Sequence, residues 1–259
     1  MLWVTDAQLQ AWLTSFLLPF FRILAIFSAA PILSMRPVPG RVRIGLSLLI
    51  AVTLAPALNG PALPLSDTAN TLIIIAHEVS IGLAIGWTAR LAFAAFDLAG
   101  EVIGLQMGLS YAGFFDPMGA RSNAVGSLMS TTVSFLFVSM NGILVLMTAL
   151  LSSFISLPMG LPSLAVTHRF DFIEMGRAVF ASGLLLALPF IASILFVNLL
   201  MGVVSRVAPQ LSLFSIGFPI TITMGLWVLV NGLPWIERPL VEALTELLMR
   251  LSRPPLPLL

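Results

Sequence analysis

The sequence of 259 residues contains no cysteine, no lysine and only two histidines. The absence of cysteine excludes disulfides, thiolate nucleophiles and thiolate-ligated iron–sulfur clusters. The absence of lysine excludes the phosphate-binding lysine of a P-loop and a Schiff-base amine. His77-Glu78 begins like a zinc-protease helix, but position 81 is Ile, and His168 is the only other histidine. Since a Gly-x-Ser-x-Gly nucleophile motif is also missing, we predict no enzyme activity, no metal and no cofactor.

Charged residues are scarce as well. They make up 9% of the chain, whereas 59% is apolar and the mean hydropathy is +1.07. This composition is typical of an integral membrane protein or of a subunit buried in a membrane-associated assembly. The net charge of +1 gives no electrostatic basis for binding nucleic acid. Residues 1–12 contain neither a basic region nor a cleavage motif, so we expect a mature start and not a signal peptide.

Long apolar runs dominate the rest of the sequence, and a membrane helix needs about 20 such residues. Six runs are present, at 12–35, 42–58, 71–96, 124–151, 178–204 and 213–235. The turn 36–43 is rich in arginine, whereas the loop 59–70 has no basic residue. Because cytoplasmic loops of membrane proteins carry an excess of basic residues, we place the turn 36–43 on the cytoplasmic side. Apolar residues from Ile236 to Leu251 recur every three or four positions, which indicates an amphipathic helix before a proline-rich tail.

The stretch 100–122 differs from its apolar surroundings. Gly100, Gly104 and Gly108 are four residues apart, so on a helix they form a strip where another backbone can approach closely. Asp116-Pro117 then interrupts any helix, because the residue before proline avoids helical geometry. Irregular backbone at membrane depth is tolerated when it is buried in protein or lines an aqueous path. We therefore interpret this stretch as a gate.

Two further patterns suggest close helix packing. Gly82 and Gly86, and Ser122 with Gly126, repeat the four-residue spacing of small residues. Glu78 lies inside an apolar run, where a charge costs about 2.5–3.5 kcal/mol on the insertion scale. Arg90, Asp97 and Glu101 share one helix face. Together with Glu78 they could relay protons, or they could pair across a protein interface. The interface interpretation is favoured.

Several short motifs, in order, give the chain a family resemblance that covers nearly its whole length. In the first half they are Arg22 with Ala29-Ala-Pro31, Val38-Pro-Gly-Arg-Val-Arg-Ile-Gly-Leu46, Glu78-xxx-Gly82-xxx-Gly86, Ala99-Gly100, Gln106-Met-Gly108 and Asp116-Pro117. In the second half they are Asn141-Gly142, Leu188-Pro189, Arg206-Val-Ala-Pro-Gln210, Phe214-Ser-Ile-Gly-Phe-Pro219 and Gly225. The chain thereby resembles the FliR family of flagellar biosynthesis proteins, which are type III secretion export-gate subunits (FliR/SctT-like). It departs from the family pattern at Ile143 and Ser212.

The resemblance implies an all-α, membrane-associated helical-hairpin protein that is one subunit of a closed, right-handed helical export-gate assembly. One copy joins several copies of two smaller subunits, which the two halves of the chain resemble. Three parts are implied: an N-terminal helical part (1–170), a C-terminal helical hairpin (171–235), and an amphipathic helix with a proline-rich tail (236–259). Because that assembly lies largely above the bilayer plane, six apolar runs need not be six membrane spans.

The resemblance also implies that the loop 108–122 is the plug of the closed channel. The plug residues are Gly108, Tyr111, Gly113, Phe114, Phe115, Asp116, Pro117 and Gly119. We assign Gly82, Gly86, Gly100, Gly104 and Gly126 to helix packing and assembly. We assign Arg22, Glu78, Arg90, Asp97, Glu101, Gln106, Arg206 and Gln210 to buried polar or interface positions. The alternative for the loop is a purely structural connection whose aromatic residues pack.

The function implied is passage of unfolded flagellar proteins through a gate in the bacterial inner membrane, at the flagellar basal body, with energy supplied elsewhere. The implied partners are the P-, Q- and B-type membrane subunits of the flagellar export gate, the exported proteins as cargo, and membrane lipid, but no nucleic acid. One alternative is an injectisome export-gate homologue. Another is a proton-coupled secondary transporter using Glu78 and Asp97, for which the sequence offers no inverted repeat.

Overall fold

The computed structural model describes residues 6–35, 37–58, 68–109, 123–160, 172–207, 217–236, 238–239 and 241–242. The described residues form seven α-helices and one short 3₁₀ helix, with no β-strand among them. The helices are α1 (Asp6–Ala29), α2 (Gly40–Leu58), α3 (Thr68–Gln106), α4 (Ala124–Ser139), α5 (Gly142–Ser156), α6 (Phe172–Val207) and α7 (Phe218–Gly232), followed by η1 (Leu233–Trp235). The prediction of an all-α protein is confirmed for this part of the chain.

Helix α3 is longer than the apolar run that predicts it. The run ends at residue 96, but the helix continues to Gln106 and is 39 residues long. Gly100 and Gly104 therefore lie inside a regular helix, where their four-residue spacing forms the strip expected from the sequence. A glycine in a helix interior costs about 1 kcal/mol relative to alanine. Close packing at these two positions, described below, offsets that cost.

The apolar run 124–151 forms two helices, not one. Helix α4 ends at Ser139, and α5 begins at Gly142 after Asn141, whose backbone is left-handed with φ 56° and ψ 34°. Asparagine adopts this conformation more readily than most residues because its short amide can bond locally. Hydropathy reads only the apolar character of the flanking residues, so it does not detect a break of this kind.

Among the residues that the structure describes, three helices are long and apolar enough to cross a membrane. They are α2 with 19 residues, and the stretches Ala69–Gln106 of α3 and Ile173–Val207 of α6 with 38 and 35 residues. A fourth crossing results if α4 and α5 are one broken span. Two shorter apolar helical stretches are Ser15–Ala29 within α1 and Phe218–Gly232. Within the described residues, three helical elements, or four with the broken pair, are thus of the length and composition of membrane spans.

The chain divides into two compact units. The first unit comprises residues 1–90, 141–172 and 244–259, and in it α1 packs against α2. Its buried core includes Ile23, Ile26 and Phe27 of α1 and Ile81 and Ile85 of α3.

The second unit comprises residues 91–140 and 173–243. Phe93 and Phe137 stack edge to face in its core, with ring centroids 5.3 Å apart and planes at 65°. Gly183 of α6 lies against the backbone of α3, since a Cβ there would be 2.7 Å from the carbonyl oxygen of Ala95. Gly225 of α7 makes room in the same way for the side chain of Met107. The division at residues 170 and 235 implied by the family resemblance stays a prediction.

Candidate functional site

Two glycines let α3 lie directly on α1 in the first unit. A Cβ at Gly82 would collide with the carbonyl oxygen of Arg22 and lie 2.7 Å from the Cβ of Ala25. A Cβ at Gly86, one turn later, would lie 2.8 Å from the carbonyl oxygen of Ile26. Small residues at four-residue spacing permit such backbone approach. Because Glu78 is one turn before Gly82, the same packing brings its carboxylate to Arg22.

Arg22 and Glu78 form a buried ion pair. Nε of Arg22 donates to Oε2 of Glu78 at 2.6 Å, and both side chains are 0% exposed. The other carboxylate oxygen, Oε1, is buried and has no hydrogen-bond donor among the described residues. A charge in an apolar interior is tolerated when it is paired. The charge that makes Glu78 costly in an apolar helix is therefore matched within the same chain.

The remaining donors of Arg22 bind the end of α5. Its Nη1 donates to the carbonyl oxygen of Ser153 at 3.1 Å and to Oγ of Ser153 at 3.2 Å, and its Nη2 donates to the carbonyl oxygen of Leu157 at 3.1 Å. The guanidinium carbon lies 4.4 Å from the ring centroid of Phe154. The carbonyls at the C-terminal end of a helix carry partial negative charge and attract a cation. The carbonyl of Ser153 also accepts from the backbone N–H of Leu157 at 2.9 Å. Arg22 thus connects α1, α3 and α5.

The second unit uses glycines in the same way where α3 meets α4. A Cβ at Gly100 would be 2.8 Å from the Cα of Gly126, and one at Gly104 would collide with the amide of Asn123. Conversely, a Cβ at Gly126 would be 2.5 Å from Oε1 of Glu101. These glycines leave space for a specific pair of polar side chains, Glu101 and Asn123.

Asn123 forms hydrogen bonds through both the nitrogen and the oxygen of its side-chain amide. Its Nδ2 donates to Oε2 of Glu101 at 2.8 Å and to the carbonyl oxygen of Glu101 at 3.2 Å. Its Oδ1 accepts from the backbone N–H of Gly126 at 2.7 Å and caps the start of α4. One side chain therefore caps α4 and attaches it to α3.

Gly108 ends α3 with a left-handed backbone, φ +80°. The N–H of Gly108 donates to the carbonyl of Leu105 at 3.0 Å, and the N–H of Leu109 donates to the carbonyl of Gly104 at 3.1 Å. These two bonds form a Schellman motif, in which glycine is favoured at the left-handed position. A Cβ at Gly108 would also collide with the ring of Phe218. The beginning of the predicted plug is thus a helix C-cap.

The other plug residues, Tyr111, Gly113, Phe114, Phe115, Asp116, Pro117 and Gly119, lie outside the described residues. The same holds for Gln210. Arg90, Asp97, Gln106 and Arg206 are exposed on their helices in the single chain. Their assignment to interfaces with other subunits stays a prediction. The described residues contain no group of three or more His, Cys, Asp or Glu that could hold a metal ion.

The structure also assigns contacts to residues that the sequence reasoning did not single out. Asn123 had a detectable signal, because an asparagine directly before an apolar helical run is a typical N-cap. Ser153 and Phe154 had none, since nothing in an apolar helix indicates which turn an arginine more than a hundred residues away will contact. Gly183 has the small residue Ala187 four positions later, which is a weaker packing signal than a pair of glycines.

The sequence matches the family described as bacterial export proteins, family 1, over residues 13–247. The flagellar biosynthetic protein FliR of Escherichia coli (strain K12) is 41% identical over 237 residues, covering 91% of this chain and 90% of the relative. FliR of Bacillus subtilis (strain 168) is 31% identical over 220 residues, covering 83% and 85%. FliR of Caulobacter vibrioides is 31% identical over 250 residues, covering 89% and 93%. The family match includes every described site residue named above.

Proposed function

The chain belongs to family 1 of the bacterial export proteins, the family of the flagellar FliR relatives, and on that premise we propose that it is a core subunit of the flagellar type III export gate. The match over residues 13–247 carries the proposal, because it extends through nearly all of the chain. A component of the flagellar export apparatus that is embedded in the membrane needs long apolar helices, and α2, α3 and α6 are of that kind. The gate lies in the inner membrane at the flagellar basal body.

The gate acts with other subunits, and its partners are the P-, Q- and B-type membrane subunits together with unfolded flagellar proteins as cargo. Large apolar side chains on the outside of α2 and α6 support this, among them Leu49, Phe180 and Leu199. Exposed apolar surface of this extent is covered by lipid or by protein in the working molecule. The chain contributes no enzyme activity, and the energy for transport comes from elsewhere.

The segment 108–122 serves as the plug of the closed gate. Its first residue, Gly108, ends α3 in a tight C-cap, and the segment after it contains three aromatic residues and two further glycines. Aromatic rings fill space well, and glycines allow the backbone conformations that a moving loop requires. The alternative is a loop whose aromatic residues only pack.

The two other functions considered from the sequence receive less support. The named curated relatives are flagellar, which favours the flagellar gate over an injectisome homologue. A proton-coupled transporter would need Glu78 to release and bind protons during transport. Its carboxylate is instead engaged with the buried Arg22 at 2.6 Å, which gives Glu78 a structural role within the chain.

Secretion of flagellar proteins tests the gate function. Deletion of the gene is expected to abolish appearance of hook and filament proteins in the medium, and a plasmid copy is expected to restore it. Export of a periplasmic protein through the general secretory pathway serves as the control and should not change. Normal secretion of filament protein by the deletion strain would overturn the proposal.

Ion permeability tests the plug. A chain lacking residues 110–120 is expected to assemble with its partners and to make the membrane leaky to small ions, because the channel loses its filler. Co-purification of the partner subunits verifies assembly of the shortened chain. An assembled gate with the shortened chain and unchanged ion permeability would contradict the assignment of the plug.

A further inference from the structure

Helix α2 has the most open surface of the three helices of spanning length among the described residues. Only 11% of its apolar window is buried, compared with 39% for α3 and 22% for α6. It packs against α1, and its buried residues, Ser47 and Ala51, are four positions apart on one face. Large apolar side chains on its other faces are exposed, among them Leu49 and Val52.

Arg41 lies in the first turn of α2, at the beginning of one of these exposed faces. Gly45, Leu48 and Val52 follow at i+4, i+7 and i+11, so the four residues lie in one line along the helix. Leu48 and Val52 are 45% and 57% exposed. Gly45 has no atom of the described residues within 4 Å of the position of a Cβ, which leaves an open notch between Arg41 and Leu48. A charge at one end of an apolar line matches an amphipathic molecule that lies along the helix.

The guanidinium of Arg41 is available to an external anion. The ion pairs of the described residues involve Arg22 and Arg177, and Arg41 makes no hydrogen bond or ion pair within that part of the chain. Residues 7–66 contain no Asp or Glu, so no acidic side chain near Arg41 in sequence competes for it. Arg43, in contrast, donates from Nη2 to a backbone carbonyl of the turn before α2 at 3.0 Å. Arg43 is therefore held by the protein, whereas Arg41 extends from it.

The length of α2 determines the depth of Arg41 in a membrane. The helix has 19 residues and is about 28 Å long, close to the thickness of about 30 Å of the hydrocarbon core. A helix of this length that crosses a bilayer has its first turn at the headgroups, and arginines near helix ends extend to that level. A lipid phosphate is then within reach of Arg41, while an acyl chain follows the apolar residues below it.

We propose that the line formed by Arg41, Gly45, Leu48 and Val52 is a binding site for one anionic phospholipid, here called the lipid site. Arg41 binds the phosphate, because a guanidinium can form two parallel hydrogen bonds with phosphate oxygens. A zwitterionic lipid partly neutralises its phosphate with its own ammonium, so an anionic headgroup is preferred. The inference rests on the membrane location proposed above and does not depend on the plug.

Quenching of a single fluorescent label tests the lipid site in the assembled gate. Because the chain has no cysteine, Leu48→Cys provides one attachment point, about 10 Å from Arg41 along the helix. The gate, with cysteine-free partner subunits, is reconstituted in vesicles of phosphatidylglycerol and phosphatidylcholine, and one lipid at a time carries brominated, quenching chains. We expect about fivefold enrichment of phosphatidylglycerol at the label, since one arginine near the membrane surface contributes about that factor.

Variants of two arginines separate a specific headgroup contact from a general effect of charge. Arg41→Gln should lower the enrichment until both lipids quench equally, whereas Arg41→Lys should retain most of it, because an ammonium also binds phosphate. Arg177→Gln is the matched control, since Arg177 is an exposed arginine of α6 that pairs with Glu174. It should leave the enrichment at the label on α2 unchanged.

Three outcomes would overturn the lipid site. One is equal quenching by both lipids when Arg41 is present, and another is the same enrichment in R41Q as in the native gate. The third is quenching by neither lipid in a gate that floats with the vesicles, which would show that protein covers this face of α2.

The dependence on salt keeps the test open if R41Q does not assemble. High salt screens a bond to a headgroup charge, so the enrichment should fall as the salt concentration rises, and a constant enrichment would contradict the lipid site. Secretion of filament protein tests the gate function separately. A gate that exports normally but shows no enrichment would therefore refute the lipid site and leave the proposed function standing.

Discussion

Arg22 is the residue through which three helices of the first unit are connected. Its guanidinium binds the carboxylate of Glu78, two carbonyl oxygens near the end of α5 and the ring of Phe154. No lysine could do this, because a single ammonium lacks the planar set of donors that reaches several acceptors in fixed directions. The buried pair is therefore a structural connection within the chain.

Removing one member of the Arg22–Glu78 pair is expected to cost more than removing both. R22M or E78Q alone leaves a buried charge without its counter-ion, at a cost of about 3–5 kcal/mol. R22M/E78Q leaves no uncompensated charge, so its loss of stability should be well below the sum of the single losses. Thermal unfolding of the purified protein in detergent measures the three variants. Additive losses would show that the two side chains are not coupled.

The left-handed backbone at Gly108 favours glycine at this position. Gly108→Ala is expected to destabilise the end of α3 by about 1–2 kcal/mol for the left-handed backbone, with a further cost for contact with Phe218. Adding Phe218→Leu should recover the steric part and leave the backbone part. Thermal unfolding compares the two variants, and an alanine variant as stable as the native protein would contradict the left-handed C-cap.

Individual site residues could be read from the sequence more easily than their partners. Glu78 and Arg22 were both recognisable as charges in apolar helices, but a separation of 56 residues gives no periodic signal for their pairing. Asn123 could have been found as an N-cap, whereas its bond to Glu101 depends on how α3 and α4 pack. The cost of a buried charge or the preference for an N-cap can be judged from a residue and its neighbours in sequence. Which side chains pair with each other depends on the tertiary fold.

At the scale of elements, glycines decide where helices approach each other. Gly82 and Gly86 face α1, and Gly100 and Gly104 face α4, so one long helix carries two separate packing strips. Gly202 of α6, in contrast, has no atom of the described residues within 4 Å of the position of a Cβ. Glycine thus has a packing role at Gly82, Gly86, Gly100 and Gly104. At Gly202 the single chain shows no such role.

Gly86→Ala is expected to destabilise the protein by about 1–3 kcal/mol, because the added methyl overpacks the contact with α1. Gly202→Ala is the matched control within a helix. It should be neutral or stabilising by up to about 1 kcal/mol, since alanine is the better helix former and meets no neighbour in the chain. Thermal unfolding of both variants in detergent measures the difference. Equal effects of the two substitutions would contradict a specific packing role of Gly86.

The helical elements themselves were largely predictable, and their ends were not. Each of the six apolar runs overlaps at least one helix of the structure. The run 71–96 missed the last ten residues of α3, because glycines and charged residues interrupt the apolar sequence there although packing maintains the helix. The run 124–151 missed the break at Asn141, because apolar composition is the same on both sides of it.

At the scale of the whole molecule, the exposed apolar faces of α2 and α6 must be covered by lipid or by other protein subunits. Large apolar side chains such as Val52, Leu185 and Val203 are exposed along these helices in the single chain. Hydropathy identifies such a surface but does not distinguish lipid from a neighbouring subunit. Membership of the export family favours neighbouring subunits over part of it, so we expect the chain to work in an assembly.

Native mass measurement of the purified complex tests this central claim most directly. The tagged chain is extracted in mild detergent from cells that contain all export subunits, and its partners are identified in the same sample. We expect a hetero-oligomer with one copy of this chain and several copies of other export-gate subunits. A lone monomer that supports export on its own would contradict it.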